Sequence, residues 1–181
     1  MDNAPNPRVR RCSQKMKKTW LSSLLRGKKN MNNNKNFTIR SLLSTDDKEW
    51  LRMRITLWPD HTEVEMRADM EDWRANPKNA TFVIVRDNGR LGGFIEMGQR
   101  DYADGCDTSP VSYIEGWYVD ADLRGQGRGK KLVTAGEAWA RKQALQEVAS
   151  DTWLENQTSI QAHLALGYME EERLVHFVKK L

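Results

Sequence analysis

Arg124-Gly125-Gln126-Gly127-Arg128-Gly129-Lys130 packs three glycines and three basic side chains into seven residues. The stretch before it, Val111 to Val119, is rich in β-branched and aromatic residues and reads as a strand. The stretch after it, Lys131 to Ala144, carries Leu132, Val133, Ala135, Ala138 and Trp139 at roughly helical spacing. A strand, a glycine-rich turn and a helix N-terminus form an anion site, because glycines let N–H groups converge and the helix dipole adds partial positive charge. The expected ligand is a phosphate. Spacing removes two owners. A nucleotide P-loop needs glycine where Arg124 stands and a hydroxyl where Lys131 stands. A dinucleotide fingerprint starting at Gly125 needs glycine where Lys130 stands.

Glu115 interrupts an otherwise apolar strand just before that turn. A half-buried carboxylate is costly unless it works. It can accept a proton from an incoming nucleophile, or it can form a structural ion pair. Asp151 closes the next short strand, and Asn156 opens the following helix. No Ser-His-Asp or Cys-His arrangement is evident, and Cys106 reads as a loop thiol without a partner, so chemistry without a covalent enzyme intermediate is expected. No spacing suggests a metal site.

The elements that must position these residues are legible from Asn36 onward. Phe37–Arg40 reads as a strand, and Ser44-Thr45-Asp46-Asp47 as a helix-start signal of the capping-box kind. The helix that follows stops at Trp58-Pro59. A second helix spans Thr62 to Arg74. Ala80–Arg86 and Leu91–Gln99 are strands joined by the hairpin signal Asp87-Asn88-Gly89-Arg90. After the long helix come a short strand, Glu147–Asp151, a helix from Asn156 to Leu166 closed by Gly167, and strands at Tyr168–Glu170 and Arg173–Lys179. The order is β-α-α-β-β-β-α-β-α-β-β.

Charge is unevenly distributed. Residues 1–35 hold ten of the 29 Lys and Arg against one of the 25 acids, which leaves 19 basic and 24 acidic side chains, a net of −5, for residues 36–181. The basic pI belongs to the leader, which reads as a disordered extension with at most a short helix near Met16–Leu25. Residues 36–181 read as one acidic domain, suited to a cationic substrate rather than nucleic acid. Cys12 and Cys106 suggest no disulfide framework and fit the reducing cytoplasm. Trp20–Leu25 is too short for an export signal, and no apolar run approaches a membrane span.

Arg124-x-x-Gly127-x-Gly129 resembles the pyrophosphate motif of the GNAT superfamily of N-acetyltransferases, which bind acetyl-coenzyme A, and the element order matches that family. The resemblance implies an α/β (α+β) acyl-CoA N-acyltransferase fold, its mixed central sheet splayed between strands 4 and 5 and flanked by helices. It implies donor contacts from Tyr118, Val119, Arg124, Gly125, Gln126, Gly127, Arg128, Gly129 and Lys130. Asn156 would reach the pantetheine amides, or serve only as an N-cap. Many of these enzymes protonate the departing thiolate with a tyrosine four residues before the Gly167 position; here that residue is His163, which leaves acid and packing roles both open.

Leu57-Trp58-Pro59-Asp60-His61, Asp101 to Pro110, Tyr113-Ile114-Glu115-Gly116, Ala149-Ser150-Asp151-Thr152 and Asn156 to Tyr168 look like aminoglycoside 6'-N-acetyltransferases, a resemblance that covers residues 37–181. It implies acetylation of the 6'-amine of drugs such as tobramycin or kanamycin by direct attack, and hence antibiotic resistance. Trp58, His61, Tyr102, Glu115, Asp151 and Glu172 become aminoglycoside contacts, and Glu115, Asp151 and His163 the proton-handling groups. Acetyl-CoA is the co-substrate, no metal is needed, and a cytoplasmic homodimer is expected. Two rivals are the same chemistry on a polyamine or protein amine, and a non-catalytic module whose basic leader binds nucleic acid or an anionic surface.

Overall fold

The computed structural model describes residues 37–180; the basic leader, with the helix read near Met16–Leu25, lies outside them. Five strands and four helices follow in order: β1 (Phe37–Ser41), α1 (Asp47–Leu57), α2 (Glu63–Ala75), β2 (Ala80–Arg86), β3 (Leu91–Arg100), β4 (Val111–Val119), α3 (Arg128–Lys142), β5 (Val148–Ser150) and α4 (Gln157–Ala165), with 3₁₀ turns at Ser44–Asp46 and Ala121–Leu123.

Local chemistry explains most boundaries. Thr62 accepts the Glu65 N–H at 3.3 Å while Glu65 accepts the Thr62 N–H at 2.8 Å, a reciprocal cap that starts α2. Before α1 the expected hydroxyl cap is replaced. The Asp46 carboxylate accepts the Leu43 N–H at 2.8 Å and pairs with Arg40 at 2.5 Å, so Ser44 and Thr45 wind into a 3₁₀ turn. Asp46 is held below the usual carboxylate range, chiefly by the Arg40 hydrogen bond. Helix α3 starts at Arg128 rather than Lys131, because left-handed Gly127 (φ 72°) already serves as its N-cap.

The sheet order is β1-β2-β3-β4-β5; the first three pairings are antiparallel and β4–β5 is parallel. Helices α1 and α2 cover one face through Trp50, Met53, Met66 and Met70 against Val83 and Phe94. On the other face α3 packs Leu132 and Val133 against Ile84, Ile95, Met97 and Ile114. Strand β3 is buried on both sides, which accounts for its nearly continuous apolar character.

Two features of β4 matter for function. Its pairing with β5 takes up the whole of that short strand and ends at Ile114↔Ser150, while β4 runs on to Val119, which leaves an open fork beside the second half of β4. Against β3, Glu96 pairs with Gly116 and Met97 with Ile114, which leaves Glu115 as the extra residue of a β-bulge.

The closing strands expected at Tyr168–Glu170 and Arg173–Lys179 are absent among the described residues. Among the described residues strand β5 is the sheet's edge and no later segment pairs with it. The tail instead leaves Val175, Phe177 and Val178 74%, 90% and 91% exposed. A strand needs a partner backbone for its N–H and C=O groups, and among the described residues the tail has none.

Candidate active site

The glycine turn is built as an anion cradle. Gly125 and Gly127 have φ of 68° and 72°, a region that side chains disfavour, and an added Cβ at either would meet nothing within 4 Å. The first turn of α3 leaves the N–H groups of Arg128, Gly129 and Lys130 without intrahelical acceptors. Arg124 donates through Nε to the Val119 carbonyl at 2.8 Å, tying the turn to the end of β4. Gln126 donates to the Asp122 carbonyl at 2.7 Å. Arg128 is 5% exposed, its guanidinium lies 4.0 Å from the Phe37 ring and bonds Gln126, so the side chain faces inward and its backbone N–H is left to the cradle. Lys130 is exposed. Tyr118 stacks on Phe94 at 6.2 Å. Open glycines, unpaired N–H groups and a helix N-terminus fit a pyrophosphate.

Below the turn, the bulge aims Glu115 across β3, where a Cβ on Gly98 would meet its Oε1 at 2.9 Å. Arg100 grips it there through Nε at 2.8 Å and Nη2 at 2.6 Å. The same guanidinium sits 3.3 Å from the Tyr113 ring centroid. Burial, then the Asp151 charge, pushes the Tyr113 hydroxyl well above its ordinary value, so it stays protonated and engages Asp151. Glu115 and Asp151 are thus brought to the same side of the fork. Arg100 and Tyr113 were not singled out from the sequence; only the β3–β4 register would have found them.

The walls come from loops. Trp58, at the end of α1, presses its ring edge on Gly116, where an added Cβ would meet it at 2.7 Å. Its inner face carries Arg54 at 4.9 Å. His61 follows in the same turn, with a buried Nδ1 that has no hydrogen-bond partner. Tyr102 is 69% exposed and donates to Asp104 at 2.6 Å. Glu172 acts electrostatically on Tyr102, and Glu171 packs on Gly105, so the acidic tail meets the loop Asp101 to Pro110. Glu147 anchors that loop by accepting N–H bonds from Asp107 and Thr108 at 3.3 and 2.7 Å.

His163 is engaged at both ring nitrogens. Nδ1 lies 2.8 Å from the Ser159 carbonyl, which can only accept, so Nδ1 carries the proton. Nε2 lies 3.1 Å from Ser150 Oγ, and the ring stands edge-on to Trp117 and Tyr168. Ser150 is a third residue that the sequence did not mark. Asn156 caps α4, its Oδ1 accepting the Ser159 N–H at 3.2 Å.

Among the described residues no helix is long and apolar enough to cross a membrane, and no group of three or more His, Cys, Asp or Glu is arranged to hold a metal ion.

A model of the Acetyltransferase (GNAT) family matches residues 50–168. The chain is 40% identical over 147 residues to an aminoglycoside N(6')-acetyltransferase type 1 of Klebsiella aerogenes, covering 79% of this chain and 96% of that one. A protein of the same name from Serratia marcescens is 38% identical over 133 residues, with 73% and 91% covered. Among solved structures, AAC(6')-Iy in complex with the bisubstrate analog CoA-S-monomethyl-acetylneamine superposes with a TM-score of 0.77 at 35% identity, over 81% of this chain and 99% of that one. AAC(6')-Ih from Acinetobacter baumannii gives 0.75 at 33%, with the same coverage. The forked mixed sheet, the glycine cradle at its mouth and these similarities agree, and this chain belongs to the GNAT acetyltransferases, in the branch of the aminoglycoside N(6')-acetyltransferases.

Proposed function

We propose that the protein acetylates the 6'-amine of aminoglycoside antibiotics by direct attack within a ternary complex, and so confers resistance. The observation that carries the acceptor half of this reading is the Glu115–Arg100–Tyr113–Asp151 cluster beside the glycine turn. Carboxylates facing one opening suit a polycation, and the domain's net negative charge favours its approach.

The cradle from Arg124 to Lys130 holds the donor's pyrophosphate through backbone N–H groups, and Asn156 turns its amide toward the pantetheine arm. Bound acetyl-CoA supplies an activated acyl group. Asp151 takes the proton of the incoming ammonium, because Glu115 already has a cation of its own in Arg100. Glu115 draws and orients the remaining ammonium groups. Trp58 and Tyr102 offer faces to sugar rings, while His61 and Glu172 border the same opening. On the opposite side, at the end of β5, His163 Nε2 takes a proton from solvent and passes it through Ser150 Oγ to the departing thiolate, which returns the ring to its Nδ1–H form.

A homodimer belongs to the same proposal. The edge of β5, unpaired among the described residues, and the exposed Val175, Phe177 and Val178 support a second copy as their cover. Deleting residues 173–181 should then shift the sedimenting species from dimer to monomer; an unchanged dimer would remove this part. We place the reaction in the cytoplasm, where acetyl-CoA is available.

Release of free thiol from acetyl-CoA, followed with kanamycin, tobramycin, a polyamine or a lysine peptide as acceptor, tests the whole. Turnover confined to the peptide or polyamine would sink the aminoglycoside assignment and keep the chemistry.

A further inference from the structure

Arg54, one helical turn before Trp58, is nearly buried at 5% exposure, and its partner Glu96 is buried at 1%. Arg54 Nη1 donates to Glu96 Oε1 at 3.0 Å, and Trp50 Nε1 donates to the same oxygen at 2.8 Å. A third group, Asp69 on α2, lies 3.6 Å from the guanidinium. Trp50, Arg54 and Trp58 recur every four residues, so they line one face of α1 and run past its end. The guanidinium sits between the two indoles, 5.2 Å from the Trp50 ring and 4.9 Å from the Trp58 ring.

We propose that Arg54, fixed by Glu96, is a positioning residue for the acceptor site: it sets the plane of Trp58, and through it the acceptor wall beside Glu115. This inference rests on the aminoglycoside reading given above.

A buried ion pair contributes little net stability against an apolar pair of the same volume, so bulk packing does not account for this one. Orientation does. A guanidinium is planar and stacks on aromatic faces, and one carboxylate oxygen on β3 fixes its plane. Trp58 lies beyond the last turn of α1, so faces and edges hold it: Arg54 on one side, Phe94 tilted at 6.2 Å, and Gly116 beneath its edge. Gly116 adjoins Glu115 in the chain, so rotation of the indole would change the space beside the carboxylate that receives the acceptor. A cation already engages the inner face of the indole. Its outer face therefore suits the apolar face of a sugar ring rather than another ammonium.

Arg54→Lys keeps the charge next to Glu96 and loses the planar stack, so it separates orientation from charge balance. At pH 8, with a saturating fixed substrate in each case, this variant should raise the KM for kanamycin about 3- to 30-fold, the range of a lost cation–π contact. The KM for acetyl-CoA should stay within about twofold and kcat within about threefold, since the glycine cradle lies on another element. Glu96→Gln preserves shape and should move the same constant in the same direction, which covers the case of an unstable Arg54 variant. Equal changes in both KM values, or an unchanged kanamycin KM in both variants, would overturn the positioning role. Absence of kanamycin turnover in the wild-type protein would instead overturn the functional reading beneath it.

Discussion

Arg100 holds Glu115 by two hydrogen bonds, of 2.8 and 2.6 Å, while its guanidinium rests 3.3 Å above the Tyr113 ring. One of the two carboxylates at the fork therefore carries an internal counter-cation. The other, Asp151, is exposed and met by a neutral hydroxyl. The proposed mechanism divides proton acceptance and cation attraction between them.

Asp151→Asn should accordingly lower kcat about 10²- to 10⁴-fold with a modest change in acceptor KM, as expected for loss of a general base. Steady-state kinetics with thiol detection would check it; a kcat within threefold of wild type would remove Asp151 from proton transfer.

Glu115→Gln should act mainly on binding, because it strips Arg100 of its partner and points a bare cation at a polycationic acceptor. The acceptor KM should rise at least about tenfold, and Arg100→Met in the same chain should recover part of the loss. Additive losses in the double variant would contradict this.

His163 and Ser150 should behave as a unit. His163→Gln and Ser150→Ala are each expected to cut kcat about 10²-fold, and the double variant no further. Independent, multiplying losses would show that their 3.1 Å contact is not the functional link.

Gly127→Ala places a side chain at φ 72°, a strain of roughly 1–2 kcal/mol for an L-residue. The KM for acetyl-CoA should rise while that for kanamycin stays nearly constant, the mirror image of the Arg54 variants. Isothermal titration with CoA alone reads the same effect without turnover.

Glu96 links stability to pH. Burial, opposed by Arg54, pushes its carboxyl up from 4.5 to about 7. Between those values the folded protein holds more protons than the unfolded chain, so this residue's contribution falls as pH rises through the window. Thermal unfolding from pH 5 to 8 should show Glu96→Gln losing less stability than wild type over that range. Parallel curves for the two proteins would contradict the burial account.

The sequence carried some of this arrangement and withheld the rest for physical reasons. Glu115 is legible because a carboxylate within an apolar strand is expensive. Arg100 is not, since only the β3–β4 register and the bulge at Glu96/Met97 bring it across. Basic residues in a glycine turn invite a phosphate role, yet the helical phase of Arg128 sends its side chain onto Phe37. The Arg54–Glu96 contact spans 42 positions and joins a helix to a strand, beyond any local pattern. The tail residues Val175, Phe177 and Val178 have strand-forming character, but a strand also needs backbone pairing, and among the described residues they have none.

The fork between β4 and β5 also has an evolutionary consequence. The donor cradle hangs from the long tine, on the end of β4 and the start of α3, while Asp151, Ser150 and His163 hang from the short one. Tyr102 and Glu172 sit on loops outside the layered core. On the proposed assignment of the two sites, changes on the short tine and its loops redraw the drug spectrum without disturbing recognition of a donor that never changes. Resistance to a newly modified antibiotic is then within reach of a few surface substitutions, and a drug designed to evade this enzyme meets its most adaptable half.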